Sequence, residues 1–283
     1  MTDMDPRRYY DEFGEGEWER LDANPVTRLE FETTTDYLAE HLPDPEERSD
    51  SDQTTEPVRV LDAGGGAGRY ALWLAERGHE VTLADISAEQ VAIAREKAAE
   101  RGVGQRVATE QADLRDLPFE SEQFDAVCCL GGPLSHVVDA EERERAIREL
   151  RRVARPGAPV FVSVIGRLSS VRYGMKHGER FGLLKHIAET GDYTEAAVEE
   201  LADGEGWAEC HFFRADEFEC ELEDGGLTVE RLVGLEGPAS QLQEELSDVG
   251  EEGMDEVREI VAQLREDRSV VDTSEHMLAV CRA

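Results

Sequence analysis

Lysine is nearly missing from this chain. Lys97, Lys176 and Lys185 are its only three, and every other basic side chain is arginine. Basic residues number 30 against 65 acids, a formal net charge of -35. A chain so short of positive charge lacks the basic stripe with which proteins track phosphate backbones, which argues against a nucleic-acid partner. Long apolar runs are also missing. None reaches the length of a bilayer span, and Met1 to Arg8 has no apolar core. No membrane span or leader is therefore expected, and the location expected is cytoplasmic. Cysteine is scarce: Cys128, Cys129, Cys210, Cys220 and Cys281 form no C-x-x-C pair and, with the histidines, no zinc spacing. Reduced core cysteines and no metal are the expectation.

What is present is enough apolar content for a core, 40% hydrophobic over 283 residues. That length fits one large α/β domain with additions. A disordered acidic chain is excluded by the even spread of apolar runs, except over 43–56, where a polar loop is expected. The net charge repels itself unless salt screens it. This acidic, lysine-poor, arginine-retaining composition resembles that of cytosolic proteins from salt-loving archaea.

Along the chain, 1–56 reads as an N-terminal helical segment. Tyr9, Tyr10, Phe13 and Trp18 interleave with acids, and Leu29, Phe31, Tyr37, Leu38 and Leu42 mark a second amphipathic helix. The remainder, 57–283, alternates strands and helices. Strands are expected at 58–61, 80–84, 106–111, 124–130, 159–165, 227–235 and 276–281, the second to fifth buried on both faces. Helices are expected at 69–77 before Gly78, from a Ser87/Gln90 capping box to Arg101, from Asp139 to Arg155, and at 215–223. Two helical insertions interrupt the pattern, at about 166–210 and at 238–267, the second jointed at Gly250 and Gly253. Both leave from the ends of strands where such sheets bind ligands, so both are expected to cover that edge. The fold class is a doubly wound, seven-stranded, mostly parallel sheet with a helical cap.

The informative stretch is Asp62-Ala63-Gly64-Gly65-Gly66-Ala67-Gly68, an acid-x-Gly-x-Gly-x-Gly turn closing the first strand. Glycine permits both the tight turn and a close backbone approach to a ligand. Asp85 ends the second strand, where an acid can accept ribose hydroxyls. Asp113-Leu114 follows the third strand, and Leu130-Gly131-Gly132-Pro133 the fourth. Four such features at successive strand ends resemble the class I S-adenosylmethionine-dependent methyltransferases, from about Val58 to Cys281. The resemblance implies strand order 3-2-1-4-5-7-6 with the last strand antiparallel, and S-adenosyl-L-methionine as cofactor. It implies Asp62 toward the cofactor's amino group, Gly64, Gly66 and Gly68 as its cradle, Asp85 and Ile86 at the ribose, Asp113 and Leu114 at the adenine, and Leu130 and Gly131 along the methionine end.

Other readings stay open. The looser dinucleotide pattern G-x-G-x-x-A is met by Gly66, Gly68 and Ala71, which admits a nicotinamide oxidoreductase. A cofactor-binding protein without catalysis is the other alternative. Asp62 and Asp85 also suit simple capping of helix N-termini, and Asp113 a plain turn. His136 and His211 are candidate general bases, weighed against ordinary hydrogen-bonded histidines. The end of the fourth strand lacks the Asn/Asp-Pro-Pro-aromatic signature of base- and glutamine-methylating enzymes. With the covered edge, that favours a small-molecule methyl acceptor. The N-terminal aromatics are candidates for a lid, and nothing in the pattern sets an oligomeric state.

Overall fold

The computed structural model describes residues 4–42, 57–178, 180–202 and 206–283. The loop expected over 43–56 lies outside the described residues. One sheet organises the chain. Its strands are β1 (Arg59–Ala63), β2 (Glu80–Asp85), β3 (Val107–Gln111), β4 (Ala126–Cys129), β5 (Pro159–Ile165), β6 (Thr228–Gly234) and β7 (His276–Arg282). Counting this sheet's strands alone, the order is β3-β2-β1-β4-β5-β7-β6. The first five pair in parallel, and β7 runs antiparallel between β5 and β6.

Side chains alternate across the central strands, so each face of the sheet builds its own core. Leu61, Val127, Cys129, Val160 and Val162 face Ile147 and Leu150 of helix Ala140–Val153 and Phe218 and Leu222 of helix Ala215–Asp224. Val60, Ala126, Cys128 and Phe161 face Tyr37 and Leu38 of helix Pro25–His41, Leu72 and Leu74 of helix Arg69–Glu76, and Val91 and Ala94 of helix Ala88–Glu100. Each large side chain buried this way contributes roughly 1.5–3 kcal/mol, enough for packing rather than helix propensity to fix these helices. β3 departs from expectation: it is an edge strand whose residues are half-buried or exposed.

The additions are less regular than the sequence implies. The 166–210 insertion holds helices Arg167–Lys176, Phe181–Thr190 and Glu195–Leu201, with a short antiparallel ribbon pairing Asp192–Tyr193 to Cys210–His211. It has its own core of Leu183, Ile187, Val198, Cys210 and Phe212, closed by Met4. The 238–267 insertion does not cover the ligand-binding edge as expected. Met254 and Val261 of its helix Glu251–Leu264 pack on Leu29 of the long N-terminal helix. Arg258 pairs with Glu32 and Arg265 with Asp36, holding it there. Gly253 is no joint, because it lies inside that helix. The cysteine expectation fails at one position: Cys128, Cys129, Cys210 and Cys281 are buried, but Cys220 is exposed.

Candidate functional site

The loop leaving β1 turns because three glycines adopt positive φ: +76° at Gly64, +52° at Gly66 and +91° at Gly68. A side chain at Gly64 would place its Cβ 2.5 Å from Pro133, so the turns after β1 and β4 touch only because that position is bare. The Gly64 amide donates to the Ala84 carbonyl (2.6 Å), pinning the turn to the end of β2. Asp85 completes the junction: its carboxylate accepts from the Gly66 and Ser87 amides, both at 2.9 Å. Burial pushes Asp85 up to about 6; the Ser87 and Gly66 amides oppose this, and Glu17 and Asp11 add to it.

Asp62 lies behind this turn, fully buried, and neither carboxylate oxygen has a hydrogen-bond partner among the described residues. Burial, then the charge of Asp85, push its carboxyl up to about 7, with the Ala71 amide opposing. Gly65 makes room for it, since a Cβ there would stand 2.7 Å from Oδ2 of Asp62.

In front of the turn is a cavity of about 910 Å³. Gly64, Gly66, Asp85, Ile86, Asp113, Leu114, Leu130, Gly131, His136 and His211 all border it, brought together from the ends of β1 to β4 and from the insertion. Asp62 and Gly68 do not border it; Gly68 caps helix Arg69–Glu76. Asp113 is engaged by its neighbour: Arg115 bonds both carboxylate oxygens, at 2.8 and 2.5 Å, and holds the carboxyl below its usual range.

His136 sits in the short 3-10 turn Pro133–His136 that follows β4. Its Nδ1 lies 2.8 Å from the Glu209 carbonyl, an acceptor only, so that nitrogen carries the proton. Nε2 is then the acceptor for the Tyr10 hydroxyl at 3.0 Å. Burial lowers the His136 pKa and so keeps the ring neutral, with the Glu209 carbonyl pulling the other way. Tyr10, on helix Pro6–Phe13, is raised well above its usual value, chiefly by burial.

His211 occupies the far end of the cavity between two carboxylates, with Nδ1 2.6 Å from Asp192 and Nε2 3.3 Å from Glu217. Burial raises Glu217, but the His211 hydrogen bond, the Arg214 amide and the charges of His211 and Arg167 outweigh it and bring the carboxyl down to about 2. Donor atoms of His211, Glu217 and Glu221 lie within 4.8 Å of one another, a spacing that admits a metal ion. Both carboxylates are already ion-paired, Glu217 to Arg167 and Glu221 to Arg143.

Sequence reading missed Arg20 and Gln90. Arg20 borders the cavity and pairs with the buried Glu30 (2.7 Å) and with Glu17 (3.1 Å). One of its nitrogens stands 3.3 Å from where a Cβ on Gly131 would be. The Ser87/Gln90 box is only half formed. Ser87 accepts from the Gln90 amide, while the Gln90 side chain donates to the Tyr10 and Gly14 carbonyls and ties the N-terminal helix down.

This arrangement has known relatives. Residues 60–157 match the family model described as a methyltransferase domain. That match spans the glycine turn and the strands on either side of it, and the sheet they belong to has the Rossmann-like order. Among curated proteins it is 32% identical over 124 residues to the methyltransferase GfsG of Streptomyces halstedii, covering 42% of this chain and 43% of that one. It is 38% identical over 115 residues to the ubiquinone/menaquinone biosynthesis C-methyltransferase UbiE of Pseudomonas paraeruginosa, covering 40% and 43%. These matches thus span less than half the length of either relative. Among solved structures, a SAM-dependent methyltransferase from Methanosarcina mazei shares the fold, with TM-score 0.57 and 20% identity over 81% of this chain and 93% of that one.

Proposed function

We propose that the chain binds S-adenosylmethionine in the large cavity and transfers its methyl group to a small-molecule acceptor. The observation that carries this reading is the bare turn Gly64–Gly66, clamped by Asp85 and opening into the cavity. The residues suit the group. Positive φ at Gly64 and Gly66 leaves backbone where side chains would block a ligand. The partnerless buried carboxylate of Asp62 favours a cation nearby, which would relieve its isolation.

In this reading Gly64 and Gly66 form the cradle and Gly68 sets the entry angle of the following helix. Asp85 receives the ribose hydroxyls beside Ile86, Asp113 and Leu114 flank the adenine, and Leu130 and Gly131 line the methionine end. Asp62 acts through the turn, its carboxyl giving up its proton when the cofactor's cation lies nearby. When bound, the cofactor supplies a methyl group on a sulfonium, a leaving group that needs no acid. What the protein adds is position and the exclusion of water. Nε2 of His136 is placed to take a proton from an acceptor that arrives protonated, with the Glu209 carbonyl fixing the tautomer. The N-terminal helices serve as a lid, since Tyr10, Glu17, Arg20 and Leu21 border the cavity.

The acidic composition supports a working place in a salt-rich cytoplasm. A melting temperature that rises between about 0.1 and 2 M KCl is expected, and one that falls contradicts it. The cofactor assignment is tested by Asp85→Ala, expected to weaken S-adenosylhomocysteine binding by about 1.5–3 kcal/mol, the range for charge-assisted hydrogen bonds. Unchanged affinity in the folded variant overturns it.

A further inference from the structure

A second cavity, of about 420 Å³, lies beneath the helices of the 166–210 insertion. Its walls include Ile165 at the end of β5, Leu183, Leu184 and Ile187 of helix Phe181–Thr190, and Trp207 and Phe212. The polar groups at its floor are satisfied within the protein. The Gln241 side-chain amide donates to the carbonyl (2.6 Å) and hydroxyl (2.8 Å) of Ser169. Glu275 accepts from the Gln241 backbone amide at 2.6 Å, and Nδ1 of His276 meets Glu236 at 2.6 Å. No lining residue has a buried side-chain nitrogen or oxygen without a hydrogen bond. The cavity therefore offers apolar surface and asks for no polar ligand.

Trp207 is the partition between the two cavities. It lines the second one, and its ring packs edge-on against His136 of the first, with centroids 5.3 Å apart and planes at 72°. Ile165 shares the wall, 3.1 Å from where a Cβ on Gly132 would be. The surface above is unusual for so acidic a chain. Nine large apolar side chains are exposed among the described residues, and five of them, Leu168, Tyr173, Met175, Phe181 and Leu201, belong to this insertion. These five are spread over its three helices, and exposed apolar side chains gathered on one insertion mark a binding face.

We propose that the second cavity holds the apolar tail of the methyl acceptor, an alkyl or isoprenoid chain of about ten carbons whose reactive head lies beyond Trp207 at His136 and Tyr10. This deepens the proposed function and rests on it for the head group. Its apolar walls and its place one ring away from His136 favour the acceptor's own tail over a second copy of the protein.

The test uses the full chain in high salt, titrated calorimetrically with geraniol and with decanol, and separately with S-adenosylhomocysteine. Saturable one-site binding of the alcohols is expected. Ser170→Phe, which projects a ring into the cavity, and Leu184→Gln, which makes its wall polar without enlarging it, should each weaken alcohol binding at least tenfold. Both should leave S-adenosylhomocysteine affinity unchanged. Absence of saturable alcohol binding, or unchanged binding in both folded variants, overturns the tail site. So does a dimer that Phe181→Glu dissolves in a protein that binds no alcohol. Alcohol binding without S-adenosylhomocysteine binding overturns the cofactor reading instead, and with it the assignment of the tail to a methyl acceptor.

Discussion

The Tyr10 hydroxyl lies 3.0 Å from Nε2 of His136, which joins the first helix of the chain to the turn after β4 across 126 residues. An acceptor hydroxyl entering the cavity competes with Tyr10 for that nitrogen. His136→Gln is expected to lower kcat by about 10²–10⁴-fold, the range for losing a general base. It should also remove the acid limb of the pH–rate profile, which lies below the usual histidine range because burial lowers the His136 pKa. Tyr10→Phe should keep that limb. Initial rates of S-adenosylhomocysteine release across pH 5–9 check both, and an unchanged limb in His136→Gln contradicts the assignment.

Asp62 and Asp85 hold their protons to about 7 and about 6, against a usual 3.8. The folded state therefore binds more protons than the unfolded one between these values, so stability falls as pH rises from about 4 to about 7. Asp62→Asn should stabilise the protein at pH 8 by at most about 4 kcal/mol and make little difference at pH 4. A cationic ligand lowers both pKa values, so cofactor binding should release protons at pH 6.5 and tighten as pH rises. Calorimetry in buffers of different ionisation enthalpy measures that release, and proton uptake would contradict the placement.

Arg20 neutralises Glu30, whose side chain is 1% exposed. Arg20→Gln leaves that carboxylate buried with His276, 3.6 Å away, in partial compensation. A loss of about 3–5 kcal/mol in urea unfolding is expected, mostly recovered by Arg20→Met with Glu30→Met. A loss below about 1 kcal/mol in the single variant would show that the pair is not holding the N-terminal helices.

Gly64 and Gly157 share φ +76°, but a Cβ at Gly157 meets nothing within 4 Å, whereas at Gly64 it meets Pro133 at 2.5 Å. Gly157→Ala should show only the left-handed backbone penalty, about 1–2 kcal/mol. Gly64→Ala should lose more stability than that and at least tenfold in cofactor affinity. Equal effects of the two substitutions would remove the close approach from the account.

The sheet and the glycine turn were legible because they rest on local chemistry: apolar runs of strand length, and glycines where the backbone must take positive φ. Thus β5 falls on Pro159–Ile165, as read from the apolar run. What depends on apposition in space was not legible. Nothing near Arg20 in the sequence signals Glu30 or Gly131, and Gln90 reads as a capping residue until the Tyr10 and Gly14 carbonyls are seen beside it. The 238–267 segment shows where it leaves the sheet, but its direction is set by Met254, Val261 and Arg258 meeting a helix more than 200 residues earlier. Asp62 illustrates the difference within one motif: its position at the strand end is a sequence fact, while its burial without a hydrogen bond to either carboxylate oxygen among the described residues is a structural one.

Cofactor binding is measured by calorimetric titration of the full chain in high-salt buffer with S-adenosylmethionine, S-adenosylhomocysteine and NAD(P)H in turn. Micromolar binding of the two sulfur compounds, weakened by Asp85→Ala, and no binding of the nicotinamide are expected. Binding of NAD(P)H alone, or of none of the three by a folded protein, would contradict the cofactor assignment.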